Sequence, residues 1–563
     1  MAEPHDGGCP GLIVAAKDDP EPMATTESPG EPDGRLEHTA AMTTRPNVLF
    51  IITDQERDWG WIPDELRRRL PHRERLVGAS AQLTRHYTHS SPCSPSRATL
   101  VTGQYVPEHG VTDNVFVEPS HPDLHDATPT VGHLLRGSGY RTAYVGKWHL
   151  SYGNPRMERY GFGDWEGEDW AWTGLAGTGT YFDPLIAGQA ATWLREHGRS
   201  SSPWFLTVGL VNPHDIHWYP ADQPWYQDAH REEIAAVNEM LAPPIPGQPG
   251  VAPYTDGYEE LFDIPQNFED SLDAKPAVHK QWRFEELHSI FGHLDYRDER
   301  SWRRALDYYF RLHELSDVQL GIILAALDDI DRWDDTVVVF TSDHGDMCGS
   351  HGLVNKGPFA YEEIMHVPLT VRAPGTTAPG SKTAALTSSA DIVPTICDLA
   401  GGTDTSSLSG VSLVPLLGGT ERPVRDHVLF TQGQAWYRSC VAHRFALRGV
   451  FDGRFKYVRY FGVGGGVDSI GQGLPWAREM TVGPDADPWD QEHELYDLQE
   501  DPGELVNLAA DCNRTKEVHD RFEHLRELER SAFTHRRPAG AGAGSTHQAG
   551  MMEESEAFRE RDR

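Results

Sequence analysis

Cysteine is scarce in this chain, and so is positive charge. Six cysteines are spread over 563 residues, at Cys9, Cys93, Cys348, Cys397, Cys440 and Cys512. No two form a C-x-x-C pair, so a disulfide framework, a zinc knuckle and a redox dithiol all lack support. Lys and Arg total 50 against 85 Asp and Glu, a formal net charge of -35. Duplex nucleic acid and anionic membranes call for the opposite balance, which speaks against both as partners. No apolar run approaches the ~18 residues that span a bilayer. The opening "MAEPHDGGCPGLIVAAKDDPEP" is acidic, and its apolar patch is too short for a secretory core. With cysteines few and unpaired, a cytoplasmic home is expected.

Enough apolar and aromatic residue is present for a large α/β domain and a smaller one. Residues 1–41 are rich in Pro, Gly, Glu and Asp without periodicity, which predicts a disordered leader, with Met42 as an alternative start. Residues 535–563 read as a second low-complexity tail. Between them, "NVLFII" (47–52), "WFLTVGLV" (204–211) and "TVVVF" (336–340) are continuous apolar runs. Such runs form a central, mostly parallel sheet sandwiched by helices. "WRRALDYYFRLHELSDVQLGIILAALDDI" carries the three- and four-residue apolar spacing of a long amphipathic helix. The main domain is placed at 42–424, with a Pro- and Trp-rich irregular insertion over 220–300 near the site mouth. Within 425–534 the chain alternates around Asp452-Gly453, a hairpin signal, and then turns helical. A small antiparallel sheet with a helix is expected there.

Ligands of such sheets gather at the carboxyl ends of the strands. Three runs end in polar groups: Asp54 and Gln55, His214, then Asp343 and His344. Two carboxylates, an amide oxygen and an imidazole suit a divalent cation. Singly, each is more often a helix cap or a hydrogen-bonded core group. Together with Cys93, set among serines and prolines just before a helix, they make a site.

At these residues the chain resembles the sulfatase family of the alkaline-phosphatase-like superfamily. Cys93-Ser94-Pro95-Ser96-Arg97, followed by Leu100, Thr102 and Gly103, matches the signature C-x-P-S-R-x-x-x-L-T-G at every fixed position. "GYRTAYVGKWHL" matches the second signature, and "RPNVLFIITDQ", "FTSDHGDMCGSHG" and "ELYDLQEDPGELVNLA" follow in family order. The resemblance implies that Cys93 is converted to Cα-formylglycine by a formylglycine-generating enzyme, with Ser94 and Ser96 as scaffold and recognition residues. The hydrate of that aldehyde would offer one oxygen to a single divalent ion and another as nucleophile toward sulfur. The sulfated hydrate would then collapse to aldehyde and expel sulfate. It further implies metal ligation by Asp54, Gln55, the modified Cys93, Asp343 and His344. Arg97 would hold the hydrate and the carboxylates. Lys147 and Lys356 would bind sulfate oxygens, a local cationic pocket inside an acidic protein. His149 would hold the formylglycine hydroxyl, and His214 with Lys356 would protonate the leaving alcohol. Asn114 occupies the place where choline sulfatases and phosphonate monoester hydrolases use an asparagine. The expected activity is hydrolysis of a small-molecule sulfate ester.

Two departures qualify this. Many relatives read Asp-Asp where this chain has Asp54-Gln55, and Asp-Asn where it has Asp343-His344. The pattern resembles the choline sulfatase and phosphonate monoester hydrolase branch and shifts the expected ion from Ca2+ toward Mn2+ without excluding Ca2+. It keeps open phosphonate monoester or phosphodiester hydrolysis, though His149 leans toward sulfate. A non-catalytic binder of sulfated ligands would be expected to lose the nucleophile or ligands first, and none is missing. A thiolate hydrolase pairing Cys93 with His149 leaves the acidic strand ends without a role.

Overall fold

The strand Asn47–Asp54 (β1) is buried along its whole length because it lies in the middle of a sheet with helices on both faces. The two faces can be read off its alternate residues. Leu49 and Ile51 join a core with Val338, Phe340, Leu206 and Val208. Val48, Phe50 and Ile52 point the other way, into a core with Val337, Val339, Leu100 and Ile396. The computed structural model describes residues 45–115, 123–151, 156–164, 177–232, 260–289, 292–420, 422–438, 441–461, 492–510 and 516–534. The expected leader over 1–41 and tail over 535–563 lie outside the described residues.

The central sheet has seven strands. Besides β1 they are Ala81–Leu83 (β2), Arg141–Gly146 (β3), Trp204–Pro213 (β4), Thr336–Ser342 (β5), Leu369–Arg372 (β6) and Lys382–Thr383 (β7). They stand in the order β7-β2-β6-β5-β1-β4-β3. β1 runs parallel to both β4 and β5, with Ile51 opposite Val208 on one side and Phe340 on the other. β3–β4 and β7–β2 are also parallel. β6 is antiparallel to β5 and β2, which makes the sheet mixed but mostly parallel. The parallel core therefore brings the carboxyl ends of β1, β3, β4 and β5 to one edge, where ligands of such sheets collect.

Helices cover the two faces. Cys93–Thr102 (α1) is buried along its whole length on the face that holds Val48 and Ile52. Thr178–His197 (α2) and Glu299–Asp329 (α4) contribute Ile186, Leu194, Leu320 and Leu324 to the other face. Between them the segment expected to be irregular contains a helix, Ala277–Glu286 (α3). Val278 and Trp282, one turn apart, are its buried stripe. Too short to declare itself by periodicity, it is held by packing against the residues that follow β5.

The C-terminal sheet is Val428–Arg438 (β8), Val441–Phe451 (β9), Phe455–Phe461 (β10) and Glu492–Asp497 (β11), antiparallel throughout. Gly453 takes φ +98 in the β9–β10 turn, the left-handed conformation that glycine allows there. Lys516–Thr534 (α5) places Phe522 and Leu525 against Tyr457 and Leu495 of this sheet. Among the described residues, no helix is long and apolar enough to cross a membrane.

Candidate active site

Four strand ends and one helix start meet at Cys93. β1 delivers Asp54 and Gln55, β3 leads into Lys147 and His149, β4 into His214, and β5 into Asp343 and His344. Cys93 opens α1, where Pro95 is tolerated because first-turn N–H groups have no helical partner. Gly146 is needed at the end of β3, since its φ is +91 and a Cβ would collide with the Gly209 carbonyl. That close approach lets Lys147 N–H donate to the same carbonyl at 2.8 Å and turns Lys147 inward. Gln55 and His149 also adopt left-handed backbone, φ +66 and +59, a strained conformation for residues with a Cβ.

Arg97 organises the centre. Its Nε donates to Asp343 Oδ2 at 2.8 Å, one terminal nitrogen to Asp54 Oδ2 at 3.0 Å, and the other to the Lys147 carbonyl at 2.8 Å. Lys147 Nζ pairs with Asp54 Oδ2 at 2.8 Å. Asp54 thus keeps its cations on one oxygen and turns Oδ1 toward the Cys93 sulfur, 3.6 Å away. His344 Nε2 lies 3.3 Å from that sulfur. His149 Nε2 is instead bonded to the Val115 carbonyl at 3.0 Å, and the His149 carbonyl accepts from Ser94 Oγ at 2.5 Å. Asn114 Oδ1 accepts from Ser94 N–H at 2.9 Å and so pins the first turn of α1. Lys356 Nζ reaches Gln55 Oε1.

This donor set fits a divalent ion. Asp54, Cys93, Asp343 and His344 are all buried, and each offers an atom within 4.8 Å of the others. His344 Nδ1 lies 2.9 Å from the Gly345 carbonyl, which assigns the ring proton to Nδ1 and leaves the Nε2 lone pair for the centre. Gln55 directly follows Asp54, and its amide oxygen is engaged by Lys356.

The electrostatics follow from burial against this charge cluster. Burial pushes Asp54 upward, but Lys147, His214, Arg97 and Lys356 outweigh it and hold the carboxyl well below its usual range. Asp343 goes the other way: burial and the neighbouring Asp54 carry it up to about 7 against His344 and Arg97. Burial and Asp54 raise the Cys93 thiol, yet Lys356, Lys147 and His344 bring it well below the ordinary thiol value. His214 drops to about 3 through burial and the charges of Lys147 and Lys356. Its ring is hydrogen-bonded toward Cys93, with Nδ1 buried and unpartnered.

Several supporting residues escaped the sequence reading. Asp215 accepts from Gly179 N–H at 2.9 Å and Thr180 N–H at 2.8 Å, which ties the His214 segment to the start of α2. The Lys356 loop is clamped from two sides. Trp282 Nε1 of α3 donates to the Val354 carbonyl at 3.1 Å, Asn355 Nδ2 donates to Glu286 at 2.9 Å, and Gln432 of β8 donates to the Gly357 carbonyl at 3.0 Å. Asp346, three residues beyond Asp343, receives the Gln55 amide at 2.5 Å. Only Asp346 carried a signal, a carboxylate inside a motif already recognised.

Three buried cations, Arg97, Lys147 and Lys356, around two carboxylates and a helix-borne cysteine make a centre suited to an anionic ester. The sulfatase family profile matches residues 46–402, and the chain belongs to that family. The profile named N-sulphoglucosamine sulphohydrolase, C-terminal, matches residues 349–465. The chain is 24% identical to an N-acetylglucosamine-6-O-sulfatase of Bacteroides thetaiotaomicron, with 87% of each chain covered. It is 29% identical to a choline-sulfatase of Rhizobium meliloti over 83% of each. Among solved structures, the phosphonate monoester hydrolase of Agrobacterium radiobacter shares the fold with a TM-score of 0.58 at 24% identity, covering 86% of this chain and 96% of that one.

Proposed function

We propose that this chain hydrolyses small sulfate esters at Cys93, converted to Cα-formylglycine by a formylglycine-generating enzyme. One divalent ion, Ca2+ or Mn2+, would be held by Asp54, Gln55, Asp343, His344 and the modified residue. The observation that carries the reading is the convergence of Cys93 with Asp54, Asp343 and His344 at one buried point. When bound, the ion supplies Lewis acidity beside the nucleophile. The aldehyde, once formed, supplies a hydrate that can release sulfate by regenerating the carbonyl, a route closed to serine.

The remaining work belongs to this chain's own side chains. Arg97 spans both carboxylates and holds them apart at fixed distance. Lys147 and Lys356 provide the positive charge that an incoming sulfate needs within a protein of net charge -35. Burial first, and then the same two ammonium groups, hold the His214 imidazole down at about 3 in the site as it stands. An anionic ester between those groups would offset their part of that depression and raise the basicity of His214 toward that of a proton donor for the leaving oxygen. Asn114 keeps the first turn of α1, and so Cys93, in register.

Phosphonate monoester hydrolysis is the second reading, favoured by Gln55 and His344 in the ion site and by the shared fold of a phosphonate monoester hydrolase. The nucleophile is tested by peptide mass spectrometry of the Cys93 segment from active protein, where aldehyde in place of thiol is expected. Full activity from an entirely unmodified thiol would sink the mechanism. Cys93→Ser is expected to be nearly inert.

A further inference from the structure

Gln55 is tied at every polar group it has. Its N–H donates to Asp343 Oδ1 at 3.1 Å, and its carbonyl accepts from the Tyr309 hydroxyl at 2.5 Å. Its side-chain Nε2 donates to Asp346 Oδ2 at 2.5 Å, and Oε1 accepts from Lys356 Nζ. A primary amide can be turned end for end at little steric cost, so its partners alone decide which end faces where. Here they agree. A carboxylate only accepts, so the end on Asp346 is the NH2. An ammonium only donates, so the end on Lys356 is the oxygen. Asp346 is 1% exposed, and its other oxygen is taken by Cys348 N–H at 2.7 Å, so it has no freedom to rotate away.

We propose that Asp346 is a positioning residue that fixes the Gln55 amide with its oxygen toward the centre of Asp54, Cys93, Asp343 and His344. Held this way, Oε1 can seat the Lys356 ammonium and face a cation at once, because an amide oxygen carries two lone pairs. The turned amide would set N–H donors against the Lys356 ammonium and against any ion at the centre, positive against positive. Asp346 therefore acts through Gln55 and touches neither ion nor substrate itself. The proposal rests on the reading of this centre as the ion and sulfate site.

Exchanging the two partners tests it. Gln55→Glu alone sets two carboxylates against each other across the former 2.5 Å contact. Asp346→Asn alone offers a single acceptor oxygen to two donors, the Gln55 amide and Cys348 N–H. The double variant, Gln55→Glu with Asp346→Asn, satisfies every group again. The new amide oxygen takes Cys348 N–H, its NH2 donates to the new carboxylate, and an oxygen still faces Lys356. Four readouts are taken on the full-length chain prepared with the same Mn2+ supply. They are ion content by elemental analysis, inorganic sulfate affinity by calorimetry, KM and kcat with an aryl sulfate, and melting temperature.

Each single variant is expected to lose about tenfold or more in ion retention or sulfate affinity, and the double variant to return to within about threefold of the parent. Parental ion content and sulfate affinity in both single variants would overturn the proposal. So would a double variant no better than the worse single. A change confined to melting temperature would show Asp346 to be packing alone and would overturn it equally. If a single variant fails to fold, the double decides: parental ion content and sulfate affinity support the proposal, and depletion overturns it. Ion content and sulfate affinity are read without turnover. A parent protein inactive on sulfate esters would refute the proposed function while leaving this test in force.

Discussion

Replacing Arg97 with Met should cost the fold about as much as any single side chain in the site. Arg97 is 1% exposed and gives charge-assisted bonds of 2.8 and 3.0 Å to Asp343 and Asp54. Two such bonds at about 1.5–3 kcal/mol each come to about 3–6 kcal/mol. Removing one partner of a buried ion pair costs about 3–5 kcal/mol by itself, so about 3–5 kcal/mol is expected. Asp54 retains Lys147 at 2.8 Å, so the burden falls on Asp343. The deficit should depend on pH with a definite sign. Asp343 already sits up at about 7, through burial and Asp54, and Arg97 is one of the groups holding it down. Without Arg97 the folded variant takes up the Asp343 proton at a higher pH than the folded parent does. Stability of the variant should therefore rise relative to the parent as pH falls toward about 7 from above, and the two should run in parallel from about 7 down to the usual carboxylate range near 4. Urea unfolding of ion-stripped protein at several pH values measures this. Excess Mn2+ should recover part of the loss, since the ion supplies the missing charge. A deficit below about 1 kcal/mol, or one indifferent to both pH and Mn2+, would refute the reasoning.

His214→Ala should slow an alkyl sulfate by about 10²–10⁴ while slowing nitrophenyl sulfate far less, because only the poor leaving group needs a proton. Equal losses on both esters would make His214 a positioning group and Lys356 the better acid. His344→Ala removes the Nε2 that lies 3.3 Å from the Cys93 sulfur, and should lower bound ion and turnover together, with partial recovery in excess Mn2+. Normal ion content in that variant would take His344 out of the ligand set.

The parallel core was legible because its strands are apolar on both faces. "NVLFII", "WFLTVGLV" and "TVVVF" lie inside Asn47–Asp54, Trp204–Pro213 and Thr336–Ser342, and the polar residues that follow each run stand at the site. Arg97, singled out from the signature around Cys93, donates to both Asp343 and Asp54. The antiparallel insertion of Leu369–Arg372 between two strands could not be read, because four residues carry no periodicity that tells direction. Nor could α3 and its hold on the Lys356 loop, which depends on Trp282 and Glu286 meeting main-chain and side-chain groups about 70 residues away. The hydrogen bonds of the histidines could not be read either. His149 Nε2 is bonded to the Val115 carbonyl, while the His344 and His214 rings both stand at the Cys93 sulfur. Spacing along the chain cannot rank histidines that all follow strand ends.

The central claim, sulfate ester hydrolysis, is tested most directly by comparing kcat/KM on three substrates with the same aryl leaving group. One enzyme preparation, with Mn2+ present and the Cys93 aldehyde content known, is assayed on an aryl sulfate, an aryl phosphate diester and an aryl phosphonate monoester. The proposed function, resting on the sulfatase family match over residues 46–402, predicts the highest value on the sulfate. A higher value on the phosphonate monoester or the diester, or no turnover of the sulfate by aldehyde-bearing protein, would contradict it.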